Sequence, residues 1–363
     1  MNKLLTVVVC CYNSANTITD TIKSIDVLNN KDVDIFIIDD GSKDNLESVV
    51  KPFIDQYPDN IHYFKKENGN WGSCINFAIK NVNSQYMSIL DSDDTYDVAG
   101  FNYVTNVLRH TQPDTDLVLC NYVWKFLDKA RHNTKEINFS KTKKECEYIN
   151  FDQLDLFHVI TIHATIFNTR LLKQLNPLPE KVYYSDGVLI YQALLNTKKI
   201  CYVNKDIHWY NYCIRKGASQ SISAEKSVKN YQHFEIVYDA FLNVPFPTNH
   251  NKKQAQLAKK FICNHFYWFM LILSKNYNYT HKQKVQMIRS YYQKLLDFER
   301  TNNLDGEVIT LLARIFKTFA GPILPLCNFA TQYLPITFLK ASRYTKEQKK
   351  RAKAEAKARK QSI

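Results

Sequence analysis

The stretch Ser88-Ile-Leu-Asp91-Ser92-Asp93-Asp94 ends a hydrophobic run in three carboxylates within four residues. Buried carboxylates are costly unless something positive sits on them. An acidic cluster at a strand end is therefore a candidate site for a hard cation, its oxygen ligands suited to Mg²⁺ or Mn²⁺. A second acidic strand end lies upstream, at Ile37-Ile38-Asp39-Asp40-Gly41-Ser42. A carboxylate there can accept hydrogen bonds from a ribose hydroxyl or a base N–H, and Tyr12 offers an aromatic face for the base. The first cluster suits a diphosphate, because a divalent cation bridging two phosphates neutralises charge on a departing nucleoside diphosphate. Plainer readings stand beside both: Asp39, Asp40 and Ser42 can cap a helix, and Asp91–Asp94 can be solvated turn residues. A third carboxylate, Asp186, lies in Tyr183-Tyr184-Ser185-Asp186-Gly187, after Asn176-Pro-Leu-Pro-Glu180 and before an apolar helix. Displacing a nucleotide from a sugar needs a general base at the acceptor hydroxyl, and Asp186 is the candidate. A carboxylate at a helix start is also favoured by the helix dipole alone.

These groups act together only if the chain brings them together. Leu5 to Cys11 is a β-branched run, the mark of a buried parallel strand. Ile18, Ile22, Ile25 and Leu28 recur at helical spacing. Asp34 to Ile38 reads as a strand, Leu46 to Phe53 as a helix, Ile61 to Phe64 as a short strand. Trp71 to Val82 reads as a helix, Tyr86 to Leu90 as a strand, Phe101 to Arg109 as a helix and Asp116 to Val123 as a strand. Alternation of this kind predicts βαβ units: a parallel sheet with helices on both faces. Ligands of such sheets bind beyond the carboxyl ends of the strands, so both acidic clusters are expected in one crevice. From Lys125 the rhythm fades. Residues 129–150 read as a polar surface excursion, and Phe151–Leu172, Val188–Leu195 and most of residues 225–300 as helix.

The chain has 363 residues, enough for roughly two domains. Its formal charge is +13, but Lys340 to Ile363 alone holds ten Lys/Arg against two Glu. Basicity is thus largely a tail, which argues against a nucleic-acid-coating protein. Nine scattered cysteines contain no CxxC pair, as expected of reduced thiols rather than a disulfide framework or zinc site. The N-terminal apolar run is short and lacks a cleavage site, so it reads as a strand rather than a signal peptide. The stretch Val308–Leu339 is apolar but broken by Arg314, Lys317, Pro322, Pro325 and Pro335, and does not read as a membrane span. With its polybasic neighbour it could dock on anionic lipid, or be a solvated helical tail. A nucleotidyltransferase would open with a glycine-rich basic loop after the first strand. Cys10-Cys11-Tyr12-Asn13-Ser14 has neither glycine nor Lys or Arg.

Four segments in order, Val7 to Asn13, Ile38 to Asp44, Glu67-Asn68-Gly69-Asn70 and Leu90 to Asp94, resemble the family 2 glycosyltransferases of the GT-A fold, of the bacterial cell-surface polysaccharide type. The similarity covers roughly residues 1–125, weakens to 215 and is absent beyond. It implies an α/β fold, Rossmann-like, with a mostly parallel sheet flanked by helices and a mainly helical C-terminal region. The domains would be a catalytic one over 1–220, a helical acceptor or membrane-associating region over 221–339 and a polybasic tail over 340–363. The implied activity is inverting, metal-dependent transfer from a nucleotide sugar, commonly UDP-linked, to a hydroxyl of a glycan or lipid-linked saccharide. Tyr12, Asp40, Asn68 and Asp91 would contact the nucleotide, and Asp93, with His208, the Mn²⁺ or Mg²⁺. Asp186 would be the base. The chain departs from relatives in two places. Ser185 stands where an acidic neighbour often precedes the base, and Ile75 where an arginine often precedes Asn76, leaving Arg215 as the substitute cation. The resemblance further implies a cytoplasmic protein, placed at the inner membrane face if residues 308–363 bind it. The alternative is a non-catalytic nucleotide-sugar-binding scaffold of the same fold.

Overall fold

A computed structural model describes residues 3–128, 131–137, 144–154, 160–163, 165–212, 229–304, 306–309, 311–318 and 320–322. The chain divides into two compact units, Met1–Ala218 and Ser219–Ile363.

The first unit is built on one mixed sheet. Its strands are β1 (Leu5–Cys11), β2 (Val33–Asp39), β3 (Ile61–Lys65), β4 (Tyr86–Asp91), β5 (Thr95–Tyr96), β6 (Leu117–Asp128), β7 (Arg131–Ile137), β8 (Cys146–Asn150), β9 (Thr165–Asn168) and β10 (Lys199–Tyr212). The order is β3-β2-β1-β4-β9-β6-β10-β5, with β7 on β6 and β8 on β10. Strands β3, β2, β1 and β4 are parallel, joined by α1 (Ile18–Ser24), α2 (Leu46–Gln56) and α3 (Asn70–Asn81). This half follows from composition: Val7, Val8 and Val9 in β1 and Ile35, Ile37 and Ile38 in β2 have no exposed surface. Burying each such side chain contributes ~1.5–3 kcal/mol. The other half mixes directions. β6 and β10 run parallel, while β9 runs antiparallel to both β4 and β6. Helices α4 (Val98–His110), α5 (Thr169–Leu172) and α6 (Asp186–Asn196) complete this unit.

Two expectations fail here. Within Phe151–Leu172 the described residues form a 3₁₀ turn at Phe151–Gln153, then β9, then the single turn α5, in place of one helix. Thr165, Ile166 and Phe167 are β-branched or aromatic and wholly inside, paired on both sides by β4 and β6. Sheet burial outweighs the helical spacing of the apolar residues around them. The supposed excursion of 129–150 contains β7 and β8. Among the described residues each pairs along one side only, with β6 and β10 respectively.

The second unit is helical over its described residues: α7 (Tyr231–Leu242), α8 (Lys252–Ala258), a π-helical turn (Lys259–Cys263), α9 (Asn264–Lys275), α10 (His281–Thr301) and α11 (Leu311–Thr318). Its core is aromatic: Phe269 stacks on Tyr291 at 4.0 Å between ring centroids, and Tyr238 stacks on Tyr291 at 5.0 Å. A reciprocal capping box between Thr280 and Gln283 starts α10. Among the described residues no helix is long and apolar enough to cross a membrane.

Candidate active site

The register of three strands places both acidic tips on one edge. Cys11 of β1 lies opposite Asp39 of β2, and Cys10 opposite Asp91 of β4. With neighbouring strands ~4.8 Å apart, Asp39 and Asp91 flank the end of β1 at a separation of about 10 Å. Asp40 follows directly, its N–H donating to the Cys11 carbonyl at 2.8 Å.

The β2 side is a closed polar network. Asp39 accepts from the Ser42 N–H at 2.7 Å and the Tyr63 hydroxyl at 2.6 Å, which hold its carboxyl below the usual range despite burial. Neither Asp39 nor Asp40 caps α2, whose N-cap is Asn45. Asp40 is 4% exposed. Its Oδ1 accepts from Lys66 Nζ at 2.7 Å, the Gly69 N–H at 2.9 Å and, at 3.5 Å, Ser73 Oγ. Asn68 donates from Nδ2 to the Asp40 carbonyl at 2.8 Å. Oδ1 is thereby committed, and Oδ2 remains for a ligand. Tyr12, 51% exposed, projects from the end of β1. The following Asn13 adopts φ 53°, left-handed, and its amide ties the two loops: Lys43 N–H donates to Asn13 Oδ1 at 2.8 Å and Asn13 N–H to Ser42 Oγ at 3.0 Å.

The β4 side is a tight acidic turn, closed by the Asp94 N–H on the Asp91 carbonyl at 3.0 Å. Thr21 of α1 fastens it, its hydroxyl within 3.0 Å of the Ser92 carbonyl and 2.8 Å of the Asp94 carbonyl. The Asp91 carboxyl is held well above its ordinary pKa, first by burial and then by the charges of Asp94, Asp93 and Asp186; the Trp71 side chain, hydrogen-bonded to it, opposes the rise. Asp93 points to solvent, while Asp94 is 1% exposed and turned inward. His208, expected beside Asp93, is wholly buried on β10, with Nε2 2.8 Å from Asp94 Oδ2.

The third carboxylate joins them from far along the chain. Asp186 is the first residue of α6, and its charge acts on Asp91. It reaches solvent, yet surrounding protein raises its pKa; the Gly187 and Asp186 N–H groups partly oppose the rise. The segment before it is held by α3. Asn76 donates from Nδ2 to the Leu178 carbonyl and Glu180 Oε1, both at 2.9 Å, and accepts the Leu178 N–H at 2.8 Å. Gly72 admits this approach, since a Cβ there would lie 2.4 Å from the Pro179 carbonyl oxygen. Lys181 (φ 59°) and Tyr184 (φ 70°) are left-handed, a local strain that tertiary contacts must hold.

Arg215 lies outside the described residues. Lys66, Trp71, Asn76, Thr21 and His163 are positioned on this edge or beneath it and were not singled out from sequence. Lys66-Glu67 directly precedes Asn68, and Trp71 directly follows Asn70, so adjacency to a motif was the available signal. The contacts of Thr21, Asn76 and His163 span long sequence separations and left no local mark.

The mixed α/β sheet thus carries Asp39, Asp40, Asp91 and Asp93 at the carboxyl ends of its parallel strands, the edge on which sheets of this kind bind ligands. Residues 6–175 match the family model described as Glycosyl transferase family 2. The chain is 29% identical over 303 residues to the uncharacterized glycosyltransferase MG060 of Mycoplasma genitalium, covering 77% of this chain and 97% of that protein. It is 23% identical over 269 residues to the minor teichoic acid biosynthesis protein GgaB of Bacillus subtilis, covering 73% of this chain but only 29% of GgaB. Among solved structures, TarS residues 1–349 of S. aureus superposes with TM-score 0.63 at 17% identity, covering 91% of this chain and 93% of that one. A second structure of that fragment, in complex with UDP-GlcNAc, gives TM-score 0.57 at 18% identity. The match over residues 6–175 and the likeness to glycosyltransferases over most of the chain mark the protein as a glycosyltransferase.

Proposed function

We propose that this chain is an inverting, cation-assisted glycosyltransferase that moves a sugar from a UDP-sugar to a hydroxyl of a bacterial cell-surface glycan. The observation that carries this reading is the convergence of Asp91, Asp93 and Asp186, drawn from two distant segments, on one sheet edge. Carboxylates whose charges act on one another either take up a proton or gain from a cation between them, and the second would suit an Mn²⁺ or Mg²⁺ ion and its diphosphate. Asp93, pointing outward beside Asp91, would hold the ion; the bound ion would neutralise charge on the leaving diphosphate. Tyr12 and the free oxygen of Asp40 would take the base, and Asn68 would shape the loop beside it.

Asp186 accepts the proton of the acceptor hydroxyl. The hydroxyl oxygen attacks the anomeric carbon as the bond from that carbon to the β-phosphate oxygen breaks. The electron pair leaves with the nucleoside diphosphate. One displacement inverts the anomeric configuration. A pKa raised by its surroundings makes Asp186 a stronger proton acceptor than a free carboxylate.

UDP as the nucleotide is supported by the likeness to TarS, whose fragment is known with UDP and with UDP-GlcNAc. A teichoic-acid-like acceptor is supported by the likeness to GgaB, a minor teichoic acid biosynthesis protein. Such donors place the enzyme in the cytoplasm, with residues 308–363, mostly outside the described set, as its contact with an anionic membrane face. The test is a panel of nucleotide sugars with Mn²⁺ or Mg²⁺, read as nucleotide release and anomeric configuration by NMR. UDP release with an inverted product supports the reading; release from every donor except UDP-sugars, or a retained anomer, overturns it.

A further inference from the structure

Beneath the acidic turn three side chains from remote segments meet. Asp94 comes from the turn, His163 from the segment before β9, and His208 from β10. One donor atom of each lies within 4.8 Å of the others. Asp94 is 1% and His208 0% exposed, and His163 is half-buried. Aromatic rings form the surroundings: Tyr96 meets His208 edge-on at 5.7 Å, Tyr122 lies 5.6 Å from His163, and the two imidazoles are 4.8 Å apart.

The proton inventory of His208 is the informative point. A neutral imidazole carries one N–H. With that proton on Nδ1, the Nε2 that His208 turns to Asp94 Oδ2 at 2.8 Å is a lone-pair donor to an ion shared with that carboxylate. Two neutral imidazoles and a carboxylate are also a ligand set in their own right. Oxygen-only sites suit Mg²⁺ or Mn²⁺, whereas an N₂O set suits Zn²⁺ and its first-row neighbours. Zinc with ligands at ~2.0–2.1 Å needs donors roughly 3.3 Å apart, within a small side-chain adjustment of the present 2.8 Å between His208 and Asp94.

We propose that Asp94, His163 and His208 form a buried zinc-class metal site, separate from the hard-cation site at Asp93. Its ion cross-links the acidic turn to β10 and to the segment before β9. That linkage fixes the turn from below, one residue away from Asp93. The site stands on its own geometry, whether or not the transfer reading holds.

The test uses the full chain expressed with added zinc and purified without chelator, then dialysed against excess Mg²⁺. Metal content by mass spectrometry is expected to be on the order of one zinc per chain. His163→Asn and His208→Asn are expected to lose it, while Asp93→Asn keeps it. Should either histidine variant not fold, Co²⁺ added to the metal-free wild type is expected to give visible ligand-field bands, absent in the milder His163→Gln. A wild type that takes up neither Zn²⁺ nor Co²⁺ overturns the site. So does zinc that persists in His163→Asn, or that leaves with Asp93→Asn.

Discussion

Asn76 closes on Leu178 through both ends of its amide, donating from Nδ2 to the Leu178 carbonyl at 2.9 Å and accepting the Leu178 N–H at 2.8 Å. This reciprocal pair joins helix α3, beside the nucleoside loop, to the segment that delivers Asp186. A hydrogen-bond pair of this kind resembles a rung of sheet between a side chain and a backbone, and it anchors the segment before Asp186, the proposed base, to α3. Asn76→Ala is expected to lower kcat by about tenfold to hundredfold with little change in donor KM, because misplacement of ~1 Å is that costly. Stability should fall by ~1–3 kcal/mol in a denaturant titration. A variant with lower stability and unchanged kcat would leave Asn76 a purely structural residue.

Asp186→Asn keeps the shape and removes the proton acceptor. Transfer should fall by roughly 10²–10⁴, with UDP binding by calorimetry nearly unchanged. In the wild type, kcat/KM should fall as pH drops through the Asp186 pKa. Burial raises that pKa, so the acid limb lies above the position of a free carboxyl, whose value is 3.8. An acid limb unchanged in Asp186→Asn would assign the base elsewhere.

Lys66 neutralises the nearly buried Asp40 at 2.7 Å and also donates to Ser73 Oγ at 2.7 Å. Lys66→Met leaves that carboxylate without its cation and should weaken UDP binding about tenfold or more, with a lower Tm. Lys66→Arg should recover part of both. Equal UDP affinity in Lys66→Met would separate Asp40 from the nucleotide.

Lys275 in the helical unit is 2% exposed, and its Nζ has no hydrogen-bond partner among the described residues. Burial lowers its pKa from 10.5 to about 8. Between pH 8 and 10.5 the unfolded chain binds a proton that the folded chain does not, so this residue makes stability rise with pH across that window. Below it the full penalty of a buried ammonium remains. Lys275→Met should therefore stabilise the protein by ~1–3 kcal/mol at pH 7, and the gain should shrink toward pH 10.5. Thermal melts of both proteins across this range check the sign.

The parallel half of the sheet was legible because β1, β2 and β4 are continuous apolar runs, each ending in a polar tip at the place where a doubly wound sheet puts its ligands. Beyond β4 the same periodicity misled. The buried residues of β9 are contiguous, and only their partners in β4 and β6 decide that they form a strand. Asp40, Asp91 and Asp93 could be picked out as candidates because they sit inside compact motifs at strand ends. Its supports were not. Thr21, Asn76 and His163 act across long sequence separations, and a side chain that bonds a remote backbone leaves no periodic signal. His208 illustrates the difference: its residue type suggested a ligand, but the inward turn of Asp94, not the outward Asp93, is what it meets.

The most direct measurement is calorimetric titration of UDP into the full chain, wild type and Asp93→Asn, with and without added Mn²⁺. A cation gripping the diphosphate at Asp93 predicts that Mn²⁺ strengthens binding to the wild type at least tenfold and leaves Asp93→Asn nearly unaffected. Equal Mn²⁺ enhancement in both proteins, or UDP binding indifferent to the ion in the wild type, would contradict it.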